Sequence, residues 1–236
     1  MTDRSEWMDL NNRVAVVTGG GRGTGYAIAE RLSRAGAIVV VADRDEPAGA
    51  AAVERLDADG WSVTNAVVDV TRAADVDDMI AGVLREFGQI DVLVNAAGTG
   101  LPDAGRAAPL WELSDRDWSA TLSGALSGAF HCCRASIGHM RRRRSGAIVN
   151  IASAGGDVGA ARRIPHAVAM AGVIALTRSL AKEVAADGVR VNAVAPQEVP
   201  PARPTDVAAV VHHLAADDAR VVTGECYQVS CGQRRR

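Results

Sequence analysis

Short runs of β-branched and aliphatic residues recur along the chain at Val14–Val17, Ile38–Val41, Val63–Val68, Val92–Val94, Ile148–Ile151, Val189–Val194 and Cys226–Val229. Alanine-rich amphipathic stretches separate most of them. Apolar runs of this length that lack alternation are strands buried on both faces, so the pattern predicts an α/β protein whose seven-stranded parallel sheet is covered by helices on both sides. The intervening helices are expected over Gly23–Ala35, Pro47–Asp59, Ala73–Phe87, Ser114–Met140, Pro165–Ala186 and Thr205–Ala215. Several carry start signals: Pro47 in a first turn, Ser114 before Asp115 as an N-cap, and Thr205-Asp206 after a proline-rich turn. There is no internal repeat and no linker long enough to separate domains, and Pro200–Pro204 is a stiff connector. A single domain is expected over 1–236, with tails at 1–12 and 232–236.

Composition narrows the function classes. The chain has 236 residues, 48% apolar and 23% charged, with 26 Lys+Arg against 28 Asp+Glu. A net charge of -2 supplies no field that would draw nucleic acid or an anionic membrane surface, so neither partner is expected. The longest apolar stretches, such as Ala37–Ala42, fall short of the roughly 18 residues that span a bilayer, and Met1–Leu10 has no apolar signal core. A cytoplasmic location follows. Cys132, Cys133, Cys226 and Cys231 show no metal-ligand spacing, so they are read as reduced thiols with no metal site. Arg141–Arg144 at a helix end and Arg234–Arg236 at the chain end are read as solvated charge. More decisive is a scarcity: the chain contains one lysine, Lys182, and two tyrosines, Tyr26 and Tyr227.

After the first strand, Thr18-Gly19-Gly20-Gly21-Arg22-Gly23-Thr24-Gly25 opens directly into a helix. Glycines there let the backbone turn tightly and approach a pyrophosphate, whose charge is met by free N–H groups and the helix dipole. Asp43 ends the second strand, where a carboxylate accepts ribose hydroxyls and repels a 2′-phosphate, which favours NAD(H) over NADP(H); Arg44 tempers that preference.

With these residues the chain resembles the short-chain dehydrogenase/reductase family over nearly its whole length. The landmarks are Thr18–Gly25, Asp69-Val70 after the third strand, Asn95-Ala96-Ala97-Gly98 after the fourth, and Arg190-Val191-Asn192 leading to Ala195-Pro196. The resemblance implies a Rossmann-type doubly wound fold with a cofactor held by Gly19, Arg22, Gly23, Thr24, Gly25, Asp43, Asp69, Val70, Asn95, Ala96, Gly98 and Val199. In the family the Asp69 position meets the adenine amino group, and the Asn95 position fixes the fourth strand and the adenosine side. A strand-end cap at Asp69 and a turn-stabilising amide at Asn95 explain the same residues without a cofactor.

The family's chemistry uses Ser, Tyr, Lys and Asn. Ile148–Ser153 puts Ser153 at the serine position, but His166 and Met170 stand where the Tyr and Lys belong, and Ala125 where the Asn belongs. The flanking segment Ala171–Ala181 matches the family's next helix and fixes that register. A thioether neither grips a ribose nor lowers a neighbour's pKa. The family's Pro-Gly element reads Pro196-Gln197, its later threonine reads Pro201, and only Pro200–Arg203 separate Val199 from Pro204-Thr205, so the helical lid is largely deleted. The expectation is a degenerate member that serves as a non-catalytic subunit. It would assemble through helices 114–140 and 165–186 with an active family member, or with itself. The alternative is an enzyme that uses His166 and Ser153 for acid–base chemistry, whether redox, dehydration, isomerisation or cyclisation.

Overall fold

A computed structural model describes residues 9–98, 107–197 and 201–230. In chain order its elements are β1 (Val14–Thr18), α1 (Gly23–Arg34), β2 (Ile38–Asp43), α2 (Glu46–Ala58), β3 (Val63–Val67), α3 (Ala73–Phe87) and β4 (Val92–Asn95), followed by α4 (Asp115–Leu122), α5 (Gly128–Arg143), β5 (Gly146–Ile151), α6 (Gly155–Val158), α7 (Ile164–Val184), β6 (Val189–Pro196), α8 (Pro204–Ala215) and β7 (Cys226–Val229). The strands form one sheet in the order β3-β2-β1-β4-β5-β6-β7, and every pairing is parallel. The order reverses between β1 and β4, so a crevice opens at the carboxyl ends of these two strands, where ligands of such sheets bind.

The two faces of the sheet are packed separately. On one, Ile28 and Leu32 of α1, Leu56 of α2 and Val207, Val211 and Leu214 of α8 close over the sheet. On the other, Val76, Ile80 and Val83 of α3, Cys132, Cys133 and Met140 of α5, and Ala181 and Val184 of α7 do the same. Long β-branched strands and alanine-rich helices produce this arrangement directly, because both sheet faces are apolar and each helix has one stripe to bury.

Three expectations are refined by the structure. The helix expected over Ser114–Met140 runs from Asp115 to Arg143, with a π-helical turn at Ser123–Ser127 joining α4 to α5. Gly98 presses on that turn, where an added Cβ would stand 2.7 Å from the Gly124 carbonyl carbon. The arginine run is not simply solvated. Arg141 pairs with Asp187, Arg144 donates to the Ala186 carbonyl, and Arg143 Nη1 donates to Asp91 Oδ1 at 2.8 Å. Asp91 is buried to 1% side-chain exposure and its other oxygen accepts from the Val14 amide at 2.8 Å, so this arginine ties α5 to the starts of β1 and β4. Finally, the segment Ile164–Asp187 is long and apolar enough to cross a bilayer, which the count of uninterrupted apolar runs did not register. Its residues His166, Ala169, Met170, Val173, Ile174, Thr177 and Ala181 are buried, so one face of α7 packs within the protein.

Candidate functional site

The crevice at the β1–β4 switch is floored by the glycine loop. Gly19 has φ +67° and its N–H donates to the Ala42 carbonyl at 2.7 Å. A Cβ on Gly19 would stand 2.9 Å from Ala97 Cα, and one on Gly25 would stand 2.0 Å from the Gly19 carbonyl oxygen. Only glycine satisfies both contacts, and the loop therefore turns back on itself before α1 begins. Gly23, with φ +56°, faces open space, Thr24 is half-buried, and the first turn of α1 has no side-chain cap. Helix N–H groups left uncapped beside a glycine turn form an anion cradle.

Asp43 holds the outer wall. Its Oδ2 accepts from the Gly21 amide at 3.0 Å and its Oδ1 from the Asp45 amide at 3.0 Å. Asp45 caps α2 by accepting from the Ala48 amide at 3.0 Å, and it also pairs with Arg22. The Ala48 amide, reinforced by Arg22 and Arg44, holds the Asp45 carboxyl below the usual carboxylate range despite an opposing desolvation effect. The sequence reading missed Asp45, although an Asp two residues before Pro47 is a recognisable N-cap signal.

The inner wall comes from β4. Thr18 Oγ1 accepts from the Ala96 and Ala97 amides at 3.1 and 3.2 Å, which fixes the Asn95–Gly98 turn against β1. Asn95 is buried and points into the protein. Its Nδ2 donates to Asn150 Oδ1 at 2.8 Å, Asn150 donates to Thr177 Oγ1 at 2.8 Å, and Thr177 donates to the Val173 carbonyl at 2.8 Å. Neither Asn150 nor Thr177 was singled out from the sequence; together they link β4, β5 and α7. Asp69 accepts from the Thr71 amide and hydroxyl at 3.0 and 2.8 Å, a local turn after β3, and the Val70 carbonyl lies 2.9 Å from His131 Nδ1. Val199 lies outside the described residues.

The other end of the crevice has a different character. Ser153 Oγ accepts from the Gly155 amide at 3.1 Å and braces the turn into α6. His166 and Met170 occupy α7 at 1% and 0% exposure, with Ser153 at 4%. Ala125 sits in the π-helical turn and joins Ala129, Ala152, Ala169, Met170, Val173, Ile174 and Ala195 in one apolar cluster. Gly156 of α6 lies directly on α7, where an added Cβ would come 2.7 Å from Met170 Cβ. Tyr26 and Tyr227 pack on the α1–α8 side of the sheet, away from α7, and Lys182 is exposed at the far end of α7. None of them joins Ser153.

The connection from β6 to α8 is short. Pro196 accepts from the Ala154 amide at 3.1 Å, Gln197 donates to Val229 at 2.8 Å, and the Ala202 amide returns to the Gln197 carbonyl at 2.9 Å before α8 starts at Pro204.

These features match known proteins over most of the chain. A family model described as short chain dehydrogenase matches residues 13–223. The (2S)-[(R)-hydroxy(phenyl)methyl]succinyl-CoA dehydrogenase subunit BbsD of Thauera aromatica is 38% identical over 250 residues, covering 96% of this chain and 98% of that protein. The 3-oxoacyl-[acyl-carrier-protein] reductase FabG of Escherichia coli strain K12 is 32% identical over 248 residues, covering 95% and 98%. Among solved structures, an NAD+-bound xylitol dehydrogenase matches with a TM-score of 0.89 at 27% identity, covering 94% of this chain and 99% of that one. Both sequence alignments run longer than the 236 residues of this chain, so these relatives carry segments that it lacks.

Proposed function

Since the chain belongs to the short-chain dehydrogenase/reductase family of nicotinamide-dependent oxidoreductases, we propose that it is a catalytically degenerate member acting as the non-catalytic subunit of a heteromeric alcohol dehydrogenase or ketoreductase. The observation that carries this reading is the burial of Met170 and His166 where the family's Lys and Tyr belong. Both side chains are buried, and Ala125 replaces the relay amide with a methyl group in the apolar cluster that also holds Met170. Proton transfer by a positioned acid is typically worth about 10²–10⁴ in rate, and the groups that would supply it are missing. The name of the Thauera relative designates a subunit, which fits a family member working inside a larger enzyme. The natural partner is a family member with its Tyr and Lys intact, docked on the helices corresponding to 114–140 and 165–186; a second copy of this chain is the alternative partner.

The residues fit a dinucleotide at one end only. A nicotinamide dinucleotide, when bound, supplies hydride transfer. Here the first turn of α1, which starts at Gly23 and has no side-chain cap, would receive its pyrophosphate. Asp43, with a spare lone pair on each oxygen, would take the adenosine ribose hydroxyls. Asp69 and Val70 would flank the adenine. At the nicotinamide end the fit fails, because Met170 offers no donor and is sealed under Gly156. NAD(H) is favoured over NADP(H) by the carboxylate of Asp43, and its adenosine half provides the affinity.

The purified chain tests this. With NADH and an acetoacetyl thioester it is expected to show no turnover, and NADH and ADP-ribose are expected to bind with dissociation constants within about threefold of each other. Turnover that disappears in His166→Ala would overturn the proposal and install the Ser153–His166 enzyme in its place.

A further inference from the structure

The glycine loop lies at the carboxyl ends of the strands. At their amino ends, on the far side of the sheet, a cavity of about 220 Å³ opens beside the starts of β5 and β6, with Arg13, Asp91, Arg190, Asp217, Arg220 and Thr223 in its walls. The fold fixes these residues there: Arg13 directly precedes β1, Asp91 precedes β4, Arg190 is the second residue of β6, and Asp217, Arg220 and Thr223 belong to the connection from α8 to β7. The space is smaller than the roughly 300–1,000 Å³ of a drug-sized site, so it suits a small ion or metabolite.

The charges of this cavity do not balance. Asp91 is spent on Arg143 and on the Val14 amide. Asp217 then faces two guanidiniums. Arg13 reaches it with Nη2 alone, at 3.1 and 2.8 Å from the two oxygens, and with the aspartate side chain 71% exposed such a pair is weak. Arg190, half-buried, donates only to the Leu214, Ala215 and Ala216 carbonyls at 2.6, 3.3 and 3.2 Å, where the end of α8 supplies about half a negative charge. Burial holds Arg190 below the usual arginine range; Asp217 opposes that effect, and Arg13 stands close enough to add to it by repulsion. Nε and Nη1 of Arg13 and Nε of Arg190 carry no hydrogen bond among the described residues.

We propose that this cavity is a binding site for a phosphate group, carried as free orthophosphate or as a small phosphate monoester, whose oxygens are received by Arg13 and Arg190 while Asp217 is the carboxylate it displaces. A tetrahedral oxyanion presents oxygens in several directions and so accepts charge-assisted hydrogen bonds from guanidiniums on β6 and before β1 at once. Bound there, it ties the start of β1 to β6 and to the connection after α8, and it stabilises the folded chain by mass action. The site is separate from the crevice and stands whether or not a dinucleotide binds.

The test is calorimetric titration of the full chain with orthophosphate and with glycerol 3-phosphate at pH 7, compared with Arg13→Gln and Asp217→Asn. Both variants alter an exposed pair and leave Arg190 to close the end of α8. Orthophosphate is expected to bind with a dissociation constant below about 5 mM. Arg13→Gln is expected to weaken it at least about fivefold, and Asp217→Asn, which removes the competing carboxylate, to tighten it about threefold or more. Glycerol 3-phosphate bound at least about threefold more tightly than orthophosphate assigns a monoester, and equal or weaker binding assigns the free ion. Absence of binding at about 20 mM overturns the proposal. So does phosphate that ADP-ribose displaces and Arg13→Gln leaves untouched, because it would sit at the glycine loop. Unchanged or weaker binding in Asp217→Asn overturns it as well, as does succinate bound as tightly as orthophosphate.

Discussion

Met170→Lys restores the family's residue at a place where this chain no longer accommodates it. Met170 has no solvent exposure and lies among Ala125, Ala129, Ala152, Ala169 and Val173, under the backbone of Gly156. Burial of that depth depresses a lysine by about three to five pH units below its usual value near 10.4. At pH 7 the unfolded chain would hold the proton fully and the folded chain only in part or not at all. Each pH unit below about 10.4 then costs about 1.4 kcal/mol, which gives a loss of about 4–5 kcal/mol at pH 7. Between the two values the unfolded state binds more protons, so stability rises with pH, and the deficit shrinks towards zero as pH approaches about 10. Urea unfolding at pH 7 and pH 9.5 reads this directly. Met170→Leu is the size control, expected to cost less than about 1.5 kcal/mol at either pH. The reasoning is refuted by a Met170→Lys protein as stable as wild type at pH 7 that also binds NADH tenfold more tightly. Position 170 would then face the ribose, and one substitution would have repaired the site.

Other outcomes follow from the same geometry. Gly25→Ala places a Cβ 2.0 Å from the Gly19 carbonyl oxygen, so ADP-ribose affinity is expected to fall at least tenfold in calorimetry, with a stability loss of about 1–3 kcal/mol in urea. Unaltered affinity would show that the loop does not hold the ligand. Arg143→Met strands the buried Asp91 carboxylate and is expected to cost about 3–5 kcal/mol at neutral pH. Urea unfolding reads the loss, and a loss below about 1 kcal/mol contradicts the pairing. Burial pushes the Cys132 and Cys133 thiols up to about 12, so neither should be alkylated by iodoacetamide in the native protein at pH 8, as read by peptide mass mapping before and after unfolding. Modification of either thiol in the folded chain would show that α5 opens.

The strands and the glycine loop were legible because they are local. Val14–Val17 and Val92–Val94 are apolar on both faces wherever the rest of the chain goes, and Gly19 and Gly25 declare a turn that only they permit. What depends on residues distant in sequence was not legible. The π-helical turn at Ser123–Ser127 exists where Gly98 packs against Gly124, and nothing in the helix's own periodicity announces it. The arginine run looked like a solvated helix end, because the buried partner of Arg143, Asp91, lies 52 residues away in sequence, just before β4. At the site, the identities of His166 and Met170 were plain from register, but the burial of Met170 follows in part from α6 lying on α7 through Gly156, a contact made by the glycine's backbone. Asn95 was expected to fix the fourth strand and the adenosine side, and its amide donates inward to Asn150 of β5, a partner that the spacing of the two residues in sequence did not announce.

Native mass spectrometry of the complex purified gently from its own host tests the subunit proposal most directly, since one spectrum reports chain composition and bound nucleotide together. The expected result is a heteromer of this chain with a second short-chain dehydrogenase/reductase whose Tyr and Lys are intact. A homo-oligomer or monomer of this chain alone, turning over substrate without a partner, would contradict it.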